Sequence, residues 1–162
     1  MKKTILSIIA VAFAATISFS TSSCGGGSAE NIPDSLLAGE WEAEDESVEL
    51  ELDTAKHEGK LNFVDRKSVE GAVCNSWARF TWEVAGDNIN LKFGDSKFCD
   101  GNMSYSNDDA KAKIEPVAKA LAEKLNETYT KDSVFTYTGV VATDSTLTLN
   151  NGNEKLVLKK DK

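Results

Sequence analysis

Acidic side chains dominate the residues of this chain that could carry chemistry. Five glutamates, Glu40, Glu42, Glu44, Glu49 and Glu51, fall within one short stretch. Paired carboxylates of this kind can act as general acid and general base. Here they alternate with apolar residues, a pattern typical of the wet side of a half-buried strand. The sequence therefore favours a solvated acidic face over a catalytic pair.

Histidine chemistry has little to build on, because His57 is the only histidine in the sequence. It lies in a polar turn, Lys56-His57-Glu58-Gly59, without a neighbouring cysteine or hydroxyl motif. The sequence also contains no GxSxG, no HExxH, no phosphate-binding glycine loop and no calcium-loop pattern. We therefore predict no enzyme activity, no metal and no cofactor.

Three aromatic residues are the candidates for ligand contact. Phe80 and Trp82 alternate with Trp77 along one predicted strand, so Trp77 faces outward or into a mouth if the other two face the core. An exposed tryptophan is suited to contact a ligand or a partner. The competing interpretation is that a helix covers Trp77. We predict Trp77, Phe80 and Trp82 as ligand-binding residues.

The N-terminal segment predicts export and lipid attachment. Lys2 and Lys3 precede an uncharged apolar run, residues 5–19, and small polar residues follow. This is the layout of a cleaved signal peptide, predicted over residues 1–23. The following stretch, 21–25, resembles a lipobox with Cys24 as the lipidated residue, although Thr21 replaces the usual leucine. Residues 24–35 then read as a flexible tether, and Gly25 in place of Asp points to the outer membrane.

Two further cysteines, Cys74 and Cys99, remain after removal of the signal peptide. In an oxidising compartment an even pair is most simply a disulfide, because neither a CxxC spacing nor a nearby histidine suggests a metal or redox site. We therefore predict a structural Cys74–Cys99 disulfide.

The net charge of the mature chain limits the classes of partner that it can bind. Removing residues 1–23 subtracts two lysines and no acid from a total of 18 basic and 26 acidic side chains, which gives a net charge of about −10. A field of this sign argues against nucleic acid and against anionic lipid head groups. The predicted membrane contact is therefore the N-terminal lipid.

Short alternating runs separated by turn residues predict the fold. Residues 48–53, 77–85 and 89–93 alternate between apolar and polar, and apolar residues from 110 to 125 recur at helical spacing. Pro116 is predicted to begin the main helix. We expect one mainly β domain over residues 36–162. Its predicted architecture is a small antiparallel β-barrel or curled sheet of about eight strands, with one amphipathic α-helix packed against it.

The stretch 69–94 resembles the META domain, the family of heat-shock HslJ-like envelope lipoproteins. The matching residues are Gly71, Cys74-Asn75, the segment 82–88, Leu91 and Phe93-Gly94, and the closing segment 144–158 is similar as well. Val73 replaces the glycine of that family, and the helical region is longer here. The resemblance implies a compact β-rich fold with a packed helix, a stress or drug-resistance association, and no established enzyme activity.

Gly39-Glu40-Trp41 also resembles the start of lipocalin-type barrels, in which the tryptophan closes the barrel base and the interior holds an apolar ligand.

The leading hypothesis is a non-catalytic envelope lipoprotein in envelope maintenance or stress response. The alternatives are a carrier of a small apolar molecule, with a cavity lined by residues such as Leu50, Phe63, Phe80 and Trp82, and a module that binds or inhibits an unknown envelope protein.

Overall fold

The computed structural model describes residues 31–99, 102–152 and 154–161. The elements over these residues are α1 (Asp34–Leu37), β1 (Gly39–Ala43), β2 (Val48–Asp53), β3 (Glu58–Asp65), β4 (Ala72–Ala85), β5 (Asn88–Phe93), β6 (Met103–Tyr105), α2 (Asp108–Thr128), β7 (Val134–Ala142), β8 (Thr146–Asn151) and β9 (Glu154–Lys160). The predicted signal peptide, Cys24 and most of the tether lie outside the described residues.

Eight of the strands close into an antiparallel barrel. Neighbours in the barrel follow the order β1-β2-β3-β4-β5-β7-β8-β9, and β1 pairs with β9 to complete the circle. β6 is an additional strand that pairs with the first residues of β4. The predicted mainly β fold with a packed helix is confirmed, and closure leaves the eight barrel strands without open edges.

Strand alternation places one face of each strand in the barrel interior. On β2, Val48, Leu50 and Leu52 are buried and the glutamates between them point outward. β4 follows the same rule over most of its length, with every second side chain from Ala72 to Trp82 buried. The period of two that the sequence displays is therefore the inside–outside alternation of the barrel wall.

Residues 31–38 cover one end of the barrel. The Asn31 side chain accepts a hydrogen bond from Gly86 N at 2.7 Å, and Ile32 N donates to Gly86 O at 3.2 Å. Within the barrel, Trp41 Nε1 donates to Leu37 O at 2.8 Å. The end of the segment predicted as tether is thus part of the fold, because its backbone and Leu37 find partners on the barrel.

Aromatic side chains and α2 cover the opposite end. Phe98 and Tyr129, which flank α2 in sequence, pack with Phe63, Phe93 and Phe135 at ring-centroid distances between 4.6 and 6.0 Å. The buried stripe of α2 lies against β4 and β6 and comprises Ala110, Ile114, Ala118, Leu121, Ala122 and Leu125.

The start of α2 differs from the prediction. Asn107 caps the helix by accepting a hydrogen bond from Ala110 N at 2.9 Å, and Asp108 and Asp109 occupy the first turn. These groups favour a helix N-terminus at this point. The helix is therefore continuous from Asp108, and the prediction that Pro116 begins it is wrong.

A loop precedes β4. Asp65 Oδ1 accepts hydrogen bonds from the backbone nitrogens of Lys67 and Ser68, both at 2.9 Å. Side-chain bonds of this type favour a turn over a continued strand. Residues 66–71 form a loop, and β4 begins at Ala72 as one long strand.

Candidate functional site

The structure separates the three aromatic residues that the sequence grouped as ligand-binding. Phe80 and Trp82 are 3 % exposed and face the interior. The Phe80 ring packs against Phe93 at 5.5 Å, and Trp82 packs against His57 at 4.6 Å while its Nε1 donates to Glu58 O at 3.1 Å. Both side chains therefore contribute to the packed core.

Trp77 lies on the outer face of β4, opposite Phe80 and Trp82, as the alternation predicts. It is half-buried, and two cations from neighbouring strand positions lie over its ring. Lys60 Nζ is 5.4 Å and Arg79 Cζ is 5.9 Å from the ring centroid. These distances are within the range of cation–π attraction. Trp77 is thus a surface aromatic residue that draws basic side chains toward itself.

Cys74 and Cys99 are both free, so the predicted disulfide is wrong. Cys74 is paired in register with Met103, whereas Cys99 O accepts a hydrogen bond from Ser76 Oγ and Cys99 Sγ lies 4.0 Å from Trp77 O. Cys99 is therefore displaced along β4 by two to three residues, roughly 7–10 Å at the rise of a strand. A disulfide requires Cα atoms within about 7 Å.

The Cys74 thiol is also chemically quiet. Burial, and after it the nearby Asp65 carboxylate, raises the pKa of Cys74 to about 11. At neutral pH the side chain is therefore a protonated thiol, and the thiol form is a poor nucleophile.

A groove of about 220 Å³ lies on the outer face of β1, β2 and β3. We call it the acidic groove, and its lining residues are Glu40, Trp41, Glu42, Glu49, Leu50, Glu51, Lys60, Asn62 and Asp161. Five of these residues carry carboxylates and one carries an amine. The excess of acidic over basic side chains is larger in this groove than in the surface grooves near Gly71 and near Arg79.

Strand register arranges the acidic groove in two rows. Glu40 lies directly opposite Glu51, and that row continues to Lys60 and Arg79. The second row pairs Glu42 with Glu49 and continues to Asn62 and Trp77. Like charges directly opposite each other destabilise a sheet by about 0.2–1 kcal/mol per pair. Two such pairs side by side are a departure from local rules.

The four glutamates have no basic partner in the part of the chain that the structure describes. None of them lies within 4.0 Å of a lysine, arginine or histidine nitrogen, whereas Glu44 and Glu46 at the neighbouring strand ends pair with Lys159 and Arg66. Lys60, the base in register with Glu51, lies over Trp77 instead. Among the described residues, Glu40, Glu42, Glu49 and Glu51 are therefore without an ion-pair partner.

Asn62 is a buried polar residue of β3, which lies between β2 and β4. Its side chain is 4 % exposed, and its Nδ2 donates to Glu49 Oε2 at 2.6 Å. Because a carboxylate only accepts hydrogen bonds, the amide nitrogen must face Glu49. The remaining atom, Oδ1, is buried and has no hydrogen-bond partner among the described residues. An unpaired buried acceptor costs about 1–3 kcal/mol.

The ionisation of Glu42 reflects this crowding. Desolvation by burial raises the pKa of Glu42 above its ordinary value, and the charges of Glu46, Glu49 and Asp161 raise it further against a smaller opposing effect of Arg66. Folding thus places the Glu42 carboxylate where its negative charge is less favoured than in the unfolded chain.

Sequence reasoning identified the glutamates only as a solvated face and did not single out Asn62 or Asp161. A local signal for Asn62 exists, because an asparagine between Leu61 and Phe63 interrupts an apolar run. In the sheet, Asn62 lies in register between Glu49 of β2 and Trp77 of β4. Asp161 reaches the groove because its backbone nitrogen donates to Glu40 O at 2.9 Å.

His57 takes part in a different contact. Its Nε2 lies 2.8 Å from Asp34 Oδ2, and its ring packs on Trp82. The pair is exposed and joins α1 to the turn between β2 and β3. His57 therefore links α1 to the barrel at the end that residues 31–38 cover.

Over residues 31–99, 102–152 and 154–161, no three His, Cys, Asp or Glu side chains are placed to hold one metal ion. Within the same ranges, neither helix combines the length and the apolar character that crossing a bilayer requires.

Comparison with known protein families, with curated proteins and with solved structures finds no match to this chain. The META and lipocalin resemblances stay predictions.

Proposed function

We propose that this chain is a non-catalytic, membrane-anchored envelope lipoprotein that acts through the outer surface of its barrel in envelope maintenance or stress response. The observation that carries the proposal is the contrast between the two sides of the barrel wall. Among the described residues, interior side chains pack on one another and both ends are covered, whereas four glutamates without an ion-pair partner and the unpaired Asn62 Oδ1 belong to the outer face. Groups that lack partners within a protein are candidates for binding.

The anchor in this proposal rests on the sequence. Residues 1–23 have the layout of a signal peptide, and Cys24 follows three small polar residues. An acyl chain contributes about 0.8 kcal/mol of membrane affinity per buried methylene, and two or more chains hold a protein stably. The META resemblance of residues 69–94 supports the stress association.

Complementation of a deletion strain tests the proposal. The strain receives the wild-type chain, a Cys24→Ser variant, or a Cys99→Ser variant as a matched control. We expect palmitate labelling, outer-membrane fractionation and restored resistance to detergent stress for the wild type and Cys99→Ser. Cys24→Ser should lack all three. Full rescue by Cys24→Ser would contradict the anchor, and a deletion strain without any envelope sensitivity would contradict the stress role.

The alternative, a carrier of a small apolar molecule, is favoured by the closed eight-stranded barrel itself. Against it, Phe80 and Trp82 are packed in the core, and Phe98 and Tyr129 cover one end. Native mass spectrometry of the full chain distinguishes the two. A bound adduct of a few hundred daltons that leaves on unfolding would favour the carrier, and an adduct-free mass favours the surface-acting protein.

A further inference from the structure

Four charged side chains form a row across the outer faces of β1 to β4. Strand register places Glu40 opposite Glu51, Glu51 opposite Lys60, and Lys60 opposite Arg79. We call this the charge row, and its order from β1 to β4 is acid, acid, base, base. Neighbouring strands lie about 4.8 Å apart, so the charge row extends over roughly 14 Å.

Each half of the charge row is unfavourable within a single molecule. Glu40 beside Glu51 and Lys60 beside Arg79 are like-charge pairs, which destabilise a sheet. Over the described ranges of the chain, none of these four side chains forms an ion pair. Both halves therefore present charge to a surface that could approach from outside the barrel.

A second copy of the chain supplies that surface, because reversing the charge row makes it complementary to itself. A two-fold axis parallel to the strands, placed between Glu51 and Lys60, brings about this reversal. Glu51 then faces Lys60 of the second copy, Glu40 faces Arg79 of the second copy, and each contact occurs twice, as two-fold symmetry requires. An axis perpendicular to the strands would set every charge against its own kind, so the charge row selects one orientation.

The neighbouring row fits the same orientation. It contains Glu42, Glu49, Asn62 and Trp77 in order from β1 to β4, so its reversal brings Trp77 to Glu42 in the acidic groove of the second copy. Trp77 is half-buried and has two cations over its ring, whereas the groove is lined mainly by carboxylates. Tryptophan and arginine are the residue types that most often anchor an interface.

We propose that the chain forms a two-fold symmetric homodimer through the outer faces of β1 to β4, with Glu51 and Glu40 of each copy paired to Lys60 and Arg79 of the other. A small cation or anion would satisfy only one half of the charge row, whereas a second copy satisfies both. Self-association of the purified chain depends neither on lipid attachment nor on a cellular phenotype, so this inference and the proposed function can fail separately.

Sedimentation equilibrium of the full chain in a density-matched non-ionic detergent tests the proposal. Both copies carry excess negative charge, so the measurement is made at physiological ionic strength, where the Debye length of about 8 Å screens distant charges but not contacting pairs. The wild type should show a monomer–dimer equilibrium without larger species, because an isologous contact closes on itself. A wild type that stays monomeric over a thousandfold range of concentration would overturn the proposal.

Charge reversals locate the contact. Lys60→Glu and Glu51→Lys should each weaken self-association at least tenfold, because each sets like charges against each other across the two-fold axis. Arg79→Glu and Glu40→Lys provide the same test at the ends of the charge row. A dimer that these reversals leave unchanged, as one formed through the apolar run of residues 5–19 would be, overturns the assignment.

A mixture of two variants separates specific pairing from a general effect of charge. Lys60→Glu brings only acids to the central contact and Glu51→Lys only bases, so a heterodimer of the two pairs opposite charges at both positions. Their equimolar mixture should associate nearly as strongly as the wild type, although neither variant does so alone. Glu83→Lys is the matched control, since Glu83 lies on the outer face of β4 outside both rows, and it should dimerise like the wild type.

A mixture that stays monomeric, or a loss in Glu83→Lys equal to that in Glu51→Lys, would contradict the proposed pairing. Thermal unfolding of each variant confirms that it is folded.

Discussion

The inner and outer faces of the wall formed by β1 to β4 satisfy their side chains to different degrees. On the inner face, Trp41 Nε1 and Trp82 Nε1 both donate to backbone carbonyls, and the Phe80 ring packs against Phe93. On the outer face, glutamate lies opposite glutamate and Asn62 Oδ1 lacks a partner among the described residues. The two faces share one backbone and one register. The difference therefore comes from side-chain choice, since the inner face carries side chains that find partners and the outer face carries like charges in opposite register.

Truncation of the inner aromatic cluster should give the largest effect. Phe93 is fully buried and its ring meets Phe80, Phe98, Tyr129 and Phe135. Phe93→Ala should lower the free energy of unfolding by about 3–5 kcal/mol, because it leaves a cavity among packed rings. Urea unfolding measures the loss. Lys92→Ala, one residue away on the exposed side, should change it by less than about 0.5 kcal/mol. A small loss for Phe93→Ala would mean that the interior is not filled.

Added volume on the inner face should have the next largest effect. Gly59 lies opposite Phe80, and a Cβ there would overlap the Phe80 ring and come within 2.6 Å of Glu51 O. Gly59→Ala should destabilise the protein by about 1–3 kcal/mol through overpacking. Gly94→Ala is the control, because a Cβ at Gly94 has no atom within 4 Å. Equal midpoints in thermal unfolding for the two variants would contradict the close packing at Gly59.

The two cysteines offer a test of smaller size. Cys74 is fully buried and Cys99 is less so, and the two thiols are separate. Cys74→Ala should cost about 1 kcal/mol from lost packing, and Cys99→Ala less than about 0.5 kcal/mol. A disulfide would instead make the two losses equal and larger, because each variant would remove the same cross-link. The intact mass of the native protein should equal that of the fully reduced chain.

The smallest effect is expected on the outer face and carries a pH dependence. Since burial and Glu46, Glu49 and Asp161 raise the pKa of Glu42, the folded chain holds this proton more tightly than the unfolded chain. Stability contributed by Glu42 is therefore full at pH below its ordinary pKa and is lost as pH rises through the raised value.

Glu42→Gln should consequently raise the free energy of unfolding at neutral pH by about 0.5 kcal/mol, the size of one like-charge pair. The gain should vanish below the ordinary pKa of a glutamate. Urea unfolding of Glu42→Gln and of the control Glu83→Gln across this pH range provides the measurement. A variant less stable than the wild type at neutral pH would mean that Glu42 has an unrecognised partner.

Much of the fold follows from local patterns. The alternation at Val48, Leu50 and Leu52 predicts a strand because it depends on residues close in sequence. The start of α2 was misplaced, since the cap formed by Asn107 outweighed the preference of Pro116 for a first turn. The sequence contains both the Asn107 cap and Pro116, but it does not show which of the two determines where the helix starts.

Contacts between segments that are far apart in sequence are harder to predict. An even number of cysteines in an oxidising compartment predicts a Cys74–Cys99 disulfide. The pairing of β6 with β4 instead places Met103 opposite Cys74 and leaves Cys99 farther along β4. Trp77 lies on the opposite face of β4 from Phe80 and Trp82, as the alternation predicts, so the three side chains do not lie together.

The sequence by itself determined the inside–outside alternation, the mainly β class and the excess of acid on one strand pair, because a period of two and a net charge are properties of neighbouring residues. Only the tertiary structure decided that β1 meets β9, that glutamates stand opposite glutamates, and that Asn62 is buried between Glu49 and Trp77. Register and closure depend on the packing of all eight strands at once, and no short segment contains that information.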